Sequence, residues 1–457
     1  MDGLRKCLIK EYSHLYVLNL RGNQRTSGEE SRREGGKIFG SSSRAPIAIT
    51  ILVKDPAQTG PCELRYHDIG DYLGREEKLD RIRAFGGIEG IEWQTIIPNA
   101  EGDWINQRDP AFDNFLPLGD KGTDADQAVF SIYSLGVATN RDAWAYNMSR
   151  AALESNMRHM IRAYNADRQG YAELCAGRPK DQRLEIEGVI DTDPRRISWS
   201  HNLKMDLRRD KPLEYQAASV IQSAYRPFCK QWLYFNRRLN ERVYQMPKLF
   251  PTPKHQNVVI SASGIGGAKG FSSLVSDTIP NLHLHDTGQC FPLYWYEKPE
   301  GKAKTQNQMF VDRETPDADD YVRRDAITDW ALETFCGHYG DGITKEDIFW
   351  YVYGILHSPE YKSRFAANLK KMLPRIPFAQ DFHAFRDAGR ELGNWHLNYE
   401  TVPPYPLTED KKRLVMEDDD YRVDKMRFGK KDRKPDKTVI AYNAHLVLRD
   451  IPLEAYD

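Results

Sequence analysis

Apolar positions change their period several times along the chain, and each change marks an element. Leu4, Cys7 and Leu8 recur at helical spacing from the first residues, and His14–Leu20 follows directly as an apolar run of strand type. A second strand is predicted over Pro46–Lys54. The connection between them, Arg21–Arg44, carries Gly22, Gly28, Gly35, Gly36 and Gly40 and three serines at Ser41–Ser43, so it reads as a loop. Strand, long loop and strand without an intervening helix suit an antiparallel pair at a sheet edge. A short helix over Glu76–Arg83 precedes an irregular stretch, Gly86–Gly122, with a domain boundary placed near Phe115–Gly122.

Two long helices are predicted next, Arg141–Asn165 and Tyr215–Val243, separated by a charged segment that includes Trp199. Pro247–Lys254 reads as a proline-punctuated connector. Val258–Ser261 and Phe291–Tyr296 read as strands around the glycine-rich turn Gly264–Gly270. Thr344 and Asp347 have capping-box spacing before Ile348–Leu356. Ser358-Pro359-Glu360 supplies an N-cap, a proline at the first helical position and an acid in the first turn. That helix should end at Lys370, Lys371 and Pro374, and another should cover Phe382–Leu392. The tail Leu407–Arg433 is dense in mixed charge and reads as solvated, before a last strand at Thr438–Tyr442. The fold class is mixed α/β, without internal repeats.

Composition narrows the picture only slightly. With 457 residues, 40% of them hydrophobic, the chain has material for two or three cores. No apolar run approaches the ~20 residues of a membrane span, and the N-terminus lacks a signal-peptide pattern. Six cysteines without paired spacing suit free thiols in a reducing cytoplasm. The formal net charge of −1 excludes a uniformly basic nucleic-acid binder, so any DNA surface must be a local patch.

The segment Tyr225–Lys254 is such a patch, with seven cations against one acid. Read as a helix, it puts Phe228, Trp232, Phe235, Leu239 and Val243 on one face and Lys230, Tyr234, Arg237 and Arg238 on the other. A basic face of that kind suits phosphate contacts, and Arg also reaches guanine edges. A core helix with a solvated back is the plainer reading of the segment by itself. The loop Arg21–Arg44 offers Arg21, Asn23, Arg25, Arg32, Arg33, Lys37 and Arg44 beside glycines whose amides could approach a phosphate. A flexible hairpin connection explains the loop equally well. The turn Gly264–Gly270 fails both the dinucleotide and the P-loop patterns. His283, His285 and Asp286, with Cys290 nearby, could ligate a metal for hydrolysis, but no second cluster completes a site. Val402-Pro403-Pro404-Tyr405 mimics the adenine-flipping motif of N6-adenine methyltransferases, yet valine cannot accept a bond from the base's amino group.

The residues Leu15–Asn23, Thr26–Glu29, Glu34–Gly40 and Ser43–Ile47 resemble the late motifs of the γ-type N6-adenine methyltransferase domain of type ISP restriction-modification enzymes. The resemblance continues through Gly136–Trp144, Tyr225–Phe228, Gln289–Tyr294, His357–Tyr361, Leu373–Pro377 and His396–Glu400. It implies an incomplete methyltransferase-type sheet edge over residues 1–115, followed by a largely helical α/β target-recognition (specificity) domain over 116–457. It also implies sequence-specific reading of double-stranded DNA, with the catalytic motifs outside this chain. S-adenosylmethionine, ATP and Mg2+ would belong to the full-length parent, with no cofactor held here. The partner would be the rest of that enzyme or a separate methyltransferase polypeptide that the chain completes as a specificity subunit. Under this resemblance Lys254, Ser261, Ser263 and Lys269 join the candidate DNA contacts.

Overall fold

The alternation of His14–Arg21 builds the centre of a four-stranded sheet. The computed structural model describes residues 2–26, 28–40, 43–122, 127–179, 182–267, 270–298, 321–423, 425–432 and 434–456. Helix α1 (Asp2–Glu11) leads into β1 (His14–Arg21). Opposite faces of β1 bury Leu15 and Val17 on one side and Leu18 and Leu20 on the other, as a period of two requires. The predicted loop contains a short helix, α2 (Gly28–Glu34). Strand β2 (Ile47–Val53) pairs antiparallel with β1 at the sheet edge, as expected. On the other side β3 (Glu63–Asp68) runs parallel to β1. Helix α3 (Arg75–Phe85) brings Leu79, Ile82 and Phe85 against Leu18 and Leu20, and β4 (Gln94–Ile96) closes the order β2-β1-β3-β4. Lys78 is fully buried in α3 and donates to the carbonyls of Glu34 (2.7 Å) and Gly36 (2.9 Å), fastening the glycine loop to the helix.

Short strands β5 (Leu116–Pro117) and β6 (Ser134–Leu135) follow, then α4 (Asp142–Ala145) and β7 (Tyr146–Asn147). The first predicted long helix therefore starts late, as α5 (Arg150–Leu174), because Ser149 caps it by accepting from the Ala152 amide. It buries Leu153, Met157, Met160 and Tyr164 against Leu203 and Leu207 of α6 (His201–Arg208).

The second predicted long helix, Tyr215–Val243, is a β-hairpin. Strands β8 (Val220–Arg226) and β9 (Cys229–Tyr234) pair antiparallel around Pro227-Phe228. Pro227 is not a first helical residue. It opens a tight turn whose next residue, Phe228, lies in the left-handed region at φ 53°. Apolar i, i+3, i+4 spacing was real, but its residues are β-branched and aromatic, and cross-strand packing on β7 and α5 decided the outcome.

A short helix, α7 (Met246–Leu249), precedes β10 (Val259–Ala262), β11 (Ser273–Ser276), β12 (Ile279–Pro280), β13 (Gln289–Pro292), β14 (Tyr294–Glu297) and β15 (Val322–Asp325). These complete two four-stranded sheets, β11-β10-β13-β6 and β12-β8-β9-β7, and the pair β14-β15. The predicted strand Phe291–Tyr296 is thus divided between β13 and β14.

The helical part runs α8 (Asp329–Tyr339), α9 (Lys345–His357), α10 (Pro359–Arg364) and α11 (Ala366–Leu369). It ends with β16 (Arg375–Ile376), which pairs with β5, and α12 (Phe382–Leu397). Thr344 and Asp347 form the predicted capping box, and Ser358 caps α10 with Pro359 at its start. Helix α9 is buried on nearly every side, and Gly389 of α12 touches it so closely that a Cβ there would lie 2.0 Å from the Trp350 carbonyl oxygen.

The chain forms two compact units, Met1–Leu397 and Asn398–Asp457. The second is a sheet of β17 (Thr408–Lys411), β18 (Arg427–Lys431), β19 (Lys434–Ala441) and β20 (Leu446–Arg449), ordered β17-β20-β19-β18. The tail is therefore structured over β17 and β18, although most of its side chains are exposed. No helix among the described residues is long and apolar enough to cross a membrane.

Candidate nucleic-acid interface

Carboxylates and carbonyls decide which of the candidate cations face a ligand. Arg21 lies at φ 53° at the end of β1, and its guanidinium pairs with Asp68 (2.5 Å) and with Asp71. Arg32 pairs with Glu29 at 3.0 Å, and Arg33 lies 3.9 Å from Asp71. Arg44 donates to the Gln24 carbonyl at 2.7 Å while its own carbonyl accepts from the Gln24 amide, which closes the glycine loop. Asn23 accepts from the Arg25 amide at 3.0 Å in an Asx turn. Lys37 is half-buried and already engaged, whereas exposed Arg25 has no carboxylate partner among the described residues. Most of this cation cluster holds the loop's own shape.

The hairpin region sorts the same way. Tyr234 is fully buried, stacks near Tyr215 and accepts from the Gln216 amide at 2.8 Å, so it offers nothing to a ligand. Arg238 pairs with Asp206 (2.9 Å) and donates to the Pro212 carbonyl (2.6 Å), clamping the chain to α6. Lys230 lies 3.7 Å from Asp277. Arg237 and Lys254 are exposed, and no carboxylate among the described residues pairs with either.

Ser261 sits in the middle of β10 at 1% exposure, enclosed by the strand's neighbours, and cannot reach a base. Ser263 donates to the Ser272 carbonyl (3.1 Å) and accepts from the Ser272 amide (3.0 Å), bridging β10 to β11. Lys269 lies outside the described residues. The glycine turn is no phosphate cradle. The Gly264 amide donates to Asp286 (3.0 Å) and the Gly266 amide to Lys370 (3.0 Å). A Cβ at Gly264 would lie 2.1 Å from the Thr287 carbonyl oxygen, so glycine is needed there for packing. The described residues of this turn join two strands and not a strand and a helix, so they do not fit the phosphates of ATP. His283 is exposed while His285 and Cys290 are buried, and among the described residues no group of three His, Cys, Asp or Glu could hold a metal ion. Burial holds the His285 imidazole neutral, pushing its pKa down to about 4.

Arg237 opens onto a cleft of about 680 Å³ between the root of the β8–β9 hairpin, the proline connector and the turn before β12. Its floor is apolar, from Ile221, Phe235 and Phe250. Its polar lining is rich in amides: Gln216, Gln222, Asn236 and Gln256. Two of these are fixed internally, since Asn236 accepts from the Arg238 amide (2.9 Å) and Gln216 accepts from Ser219 (3.3 Å). Gln222 on β8 and Gln256 are exposed, and no hydrogen bond among the described residues engages their side-chain amides. Amide side chains bond adenine edges in pairs and arginine does the same for guanine, so this lining has the chemistry of base readout. Lys254 adds a cation fit for a phosphate. Helical periodicity hid Gln222, which falls inside the predicted helix Tyr215–Val243. The signal that finds Gln222 is Pro227-Phe228 read as a hairpin turn, which puts it on a strand, exposed between half-buried Ile221 and buried Ser223.

A family described as the Type ISP C-terminal specificity domain matches residues 128–457. No curated protein matches the chain. Among solved structures, a nuclease-deletion mutant of the Type ISP restriction-modification enzyme LlaGI, in complex with a DNA substrate mimic, is 37% identical with a TM-score of 0.78. That match covers 100% of this chain and 38% of that one. The ATP-dependent Type ISP restriction-modification enzyme LlaBIII, bound to DNA, is 31% identical with a TM-score of 0.77 and covers 100% and 27%. A DrdV–DNA complex is 32% identical with a TM-score of 0.77, covering 99% and 42%. The chain thus spans less than half the length of each of these proteins.

Proposed function

Since the chain belongs to the Type ISP restriction-modification family, carrying its C-terminal specificity domain, we propose that it recognises duplex DNA in a sequence-specific way on behalf of a site-specific adenine methyltransferase and restriction enzyme. The observation that carries this reading is that relatives matching the chain from end to end at 31–37% identity are solved with DNA. The cleft at Arg237 supports it locally, with unengaged amides for base edges and Arg237 and Lys254 for guanine or phosphate. Residues 1–115 act as the end of the methyltransferase domain and 116–457 as the recognition domain. S-adenosylmethionine, ATP and Mg2+ serve other parts of the enzyme, whether joined in one polypeptide or supplied by a separate methyltransferase chain, in the cytoplasm.

The test is selection of bound sequences from random duplexes by the full chain, repeated with Arg237→Ala/Gln222→Ala. The wild type should enrich one short site. The variant should still bind but lose discrimination at one or two positions, by about 1–3 kcal/mol each. Binding without any enriched site would overturn the proposal.

A further inference from the structure

We propose that the β18–β19 hairpin of the C-terminal unit is a second DNA contact, a clamp on the phosphodiester backbone that adds affinity without reading sequence. Between Arg427 and Lys437 the chain carries six cations and two acids. Elsewhere in the unit three cations are matched with carboxylates, Lys411 with Glu409 at 2.9 Å, Arg413 with Asp420 at 2.8 Å and Arg449 with Asp410, while exposed Lys412 and Lys425 pair with no carboxylate among the described residues. On the edge strand β18, Arg427, Lys430 and Lys431 are all exposed, and no carboxylate among the described residues pairs with them. Asp436 accepts from the backbone amide and hydroxyl of Thr438 at 3.0 and 2.6 Å. These bonds lower its pKa, helped by the nearby charges of Lys431 and Arg449, with which it forms no ion pair among the described residues.

The pairing register is the second observation. Lys431 lies directly opposite Lys434 across the hairpin. The register thus sets lysine positions on both strands of the ladder. Lysine on an edge strand also discourages stray strand pairing. That role calls for no lysine across the ladder on β19. Phosphate is the anion whose chemistry fits unpaired lysine and arginine along a two-stranded ribbon, and DNA presents it repeatedly.

This inference rests on the duplex-DNA reading above, so its test separates the two. The full chain, Lys430→Gln/Lys431→Gln, Lys430→Arg/Lys431→Arg and the cleft variant Arg237→Ala/Gln222→Ala are titrated with a selected and a scrambled duplex over a salt series. The glutamine variant should lower the slope of log K against log salt by about 1.8, two phosphates at ~0.9 each, equally on both duplexes. The arginine variant should restore the slope, and the selected-to-scrambled ratio should be unchanged in both. A glutamine variant with wild-type slope, beside a cleft variant that still loses discrimination, overturns the clamp and leaves the reading intact. Absence of salt-dependent binding by the wild type to either duplex overturns both.

Discussion

Asp103 shows how much of this fold hangs on single side chains. It is fully buried among cations: Arg108 at 2.8 Å, Arg5 at 3.6 Å, and Lys371, whose ammonium is in direct contact. Burial alone would raise its pKa. Hydrogen bonds from Lys371, Arg108 and Asn99 more than reverse that and hold the carboxyl well below the ordinary range. A folded-state pKa below the unfolded one gives stability that is full above the unfolded value, near 3.9, and is lost as pH falls through the folded value. Asp103→Asn leaves the partly exposed Arg5, Arg108 and Lys371 without their counter-charge and should cost about 1–3 kcal/mol at pH 7. Urea unfolding of the variant checks this, and a loss under 1 kcal/mol would show the cluster to be dispensable.

Histidines act in the opposite direction. His285 and His357 are held neutral, each with a pKa pushed down to about 4. Burial is the cause for His285; for His357 it is burial followed by the neighbouring His396 and Lys362. The folded state then binds fewer protons than the unfolded chain between about 4 and 6.5. Stability should be full well above pH 6.5 and fall as pH drops towards 4, by about 1–2 kcal/mol per histidine between pH 6.5 and 5. His357→Gln, which keeps a partner for Ser273, should reduce that slope by roughly half. An unchanged pH dependence would refute the assignment.

At the scale of elements, what the sequence disclosed was local. Thr344–Asp347 and Ser358-Pro359 were legible because a cap is a contact over three residues. The β1–β2 pair was legible because its connecting loop contains no helical pattern of sufficient length. Tyr215–Val243 was misread because its apolar spacing satisfies a helix while cross-strand partners more than eighty residues earlier, Tyr146 and Asn147, hold Trp232 and Leu233 in a strand. Ser261 and Tyr234 were misplaced for the same reason, since exposure is set by distant packing. Arg21 and Arg238 could not be known as paired before Asp68 and Asp206 were brought beside them.

Close helix packing makes a paired prediction at this scale. Gly389→Ala drives a methyl group against the Trp350 carbonyl and should destabilise by about 1–3 kcal/mol or more. Gly337, within α8, has nothing within 4 Å of where its Cβ would be. Gly337→Ala should stabilise by about 0.4–1 kcal/mol. Thermal unfolding of both variants decides it, and equal shifts would contradict the α9–α12 contact as the cause.

For the whole molecule, a net charge of −1 conceals a sorted distribution. Most candidate cations in the glycine loop, and Arg238 beside α6, are occupied by acids and carbonyls. Arg25, Arg237, Lys254 and the β18 cations stand without carboxylate partners among the described residues. Such a molecule should bind duplexes with a modest number of phosphates and rely on base contacts for the remainder of its discrimination. The most direct measurement is the equilibrium affinity of the full chain for its selected duplex against a scrambled one, at one fixed physiological salt concentration. Sequence-specific recognition predicts a ratio of about 10³ or more. A ratio near one, with both duplexes bound equally, would contradict it.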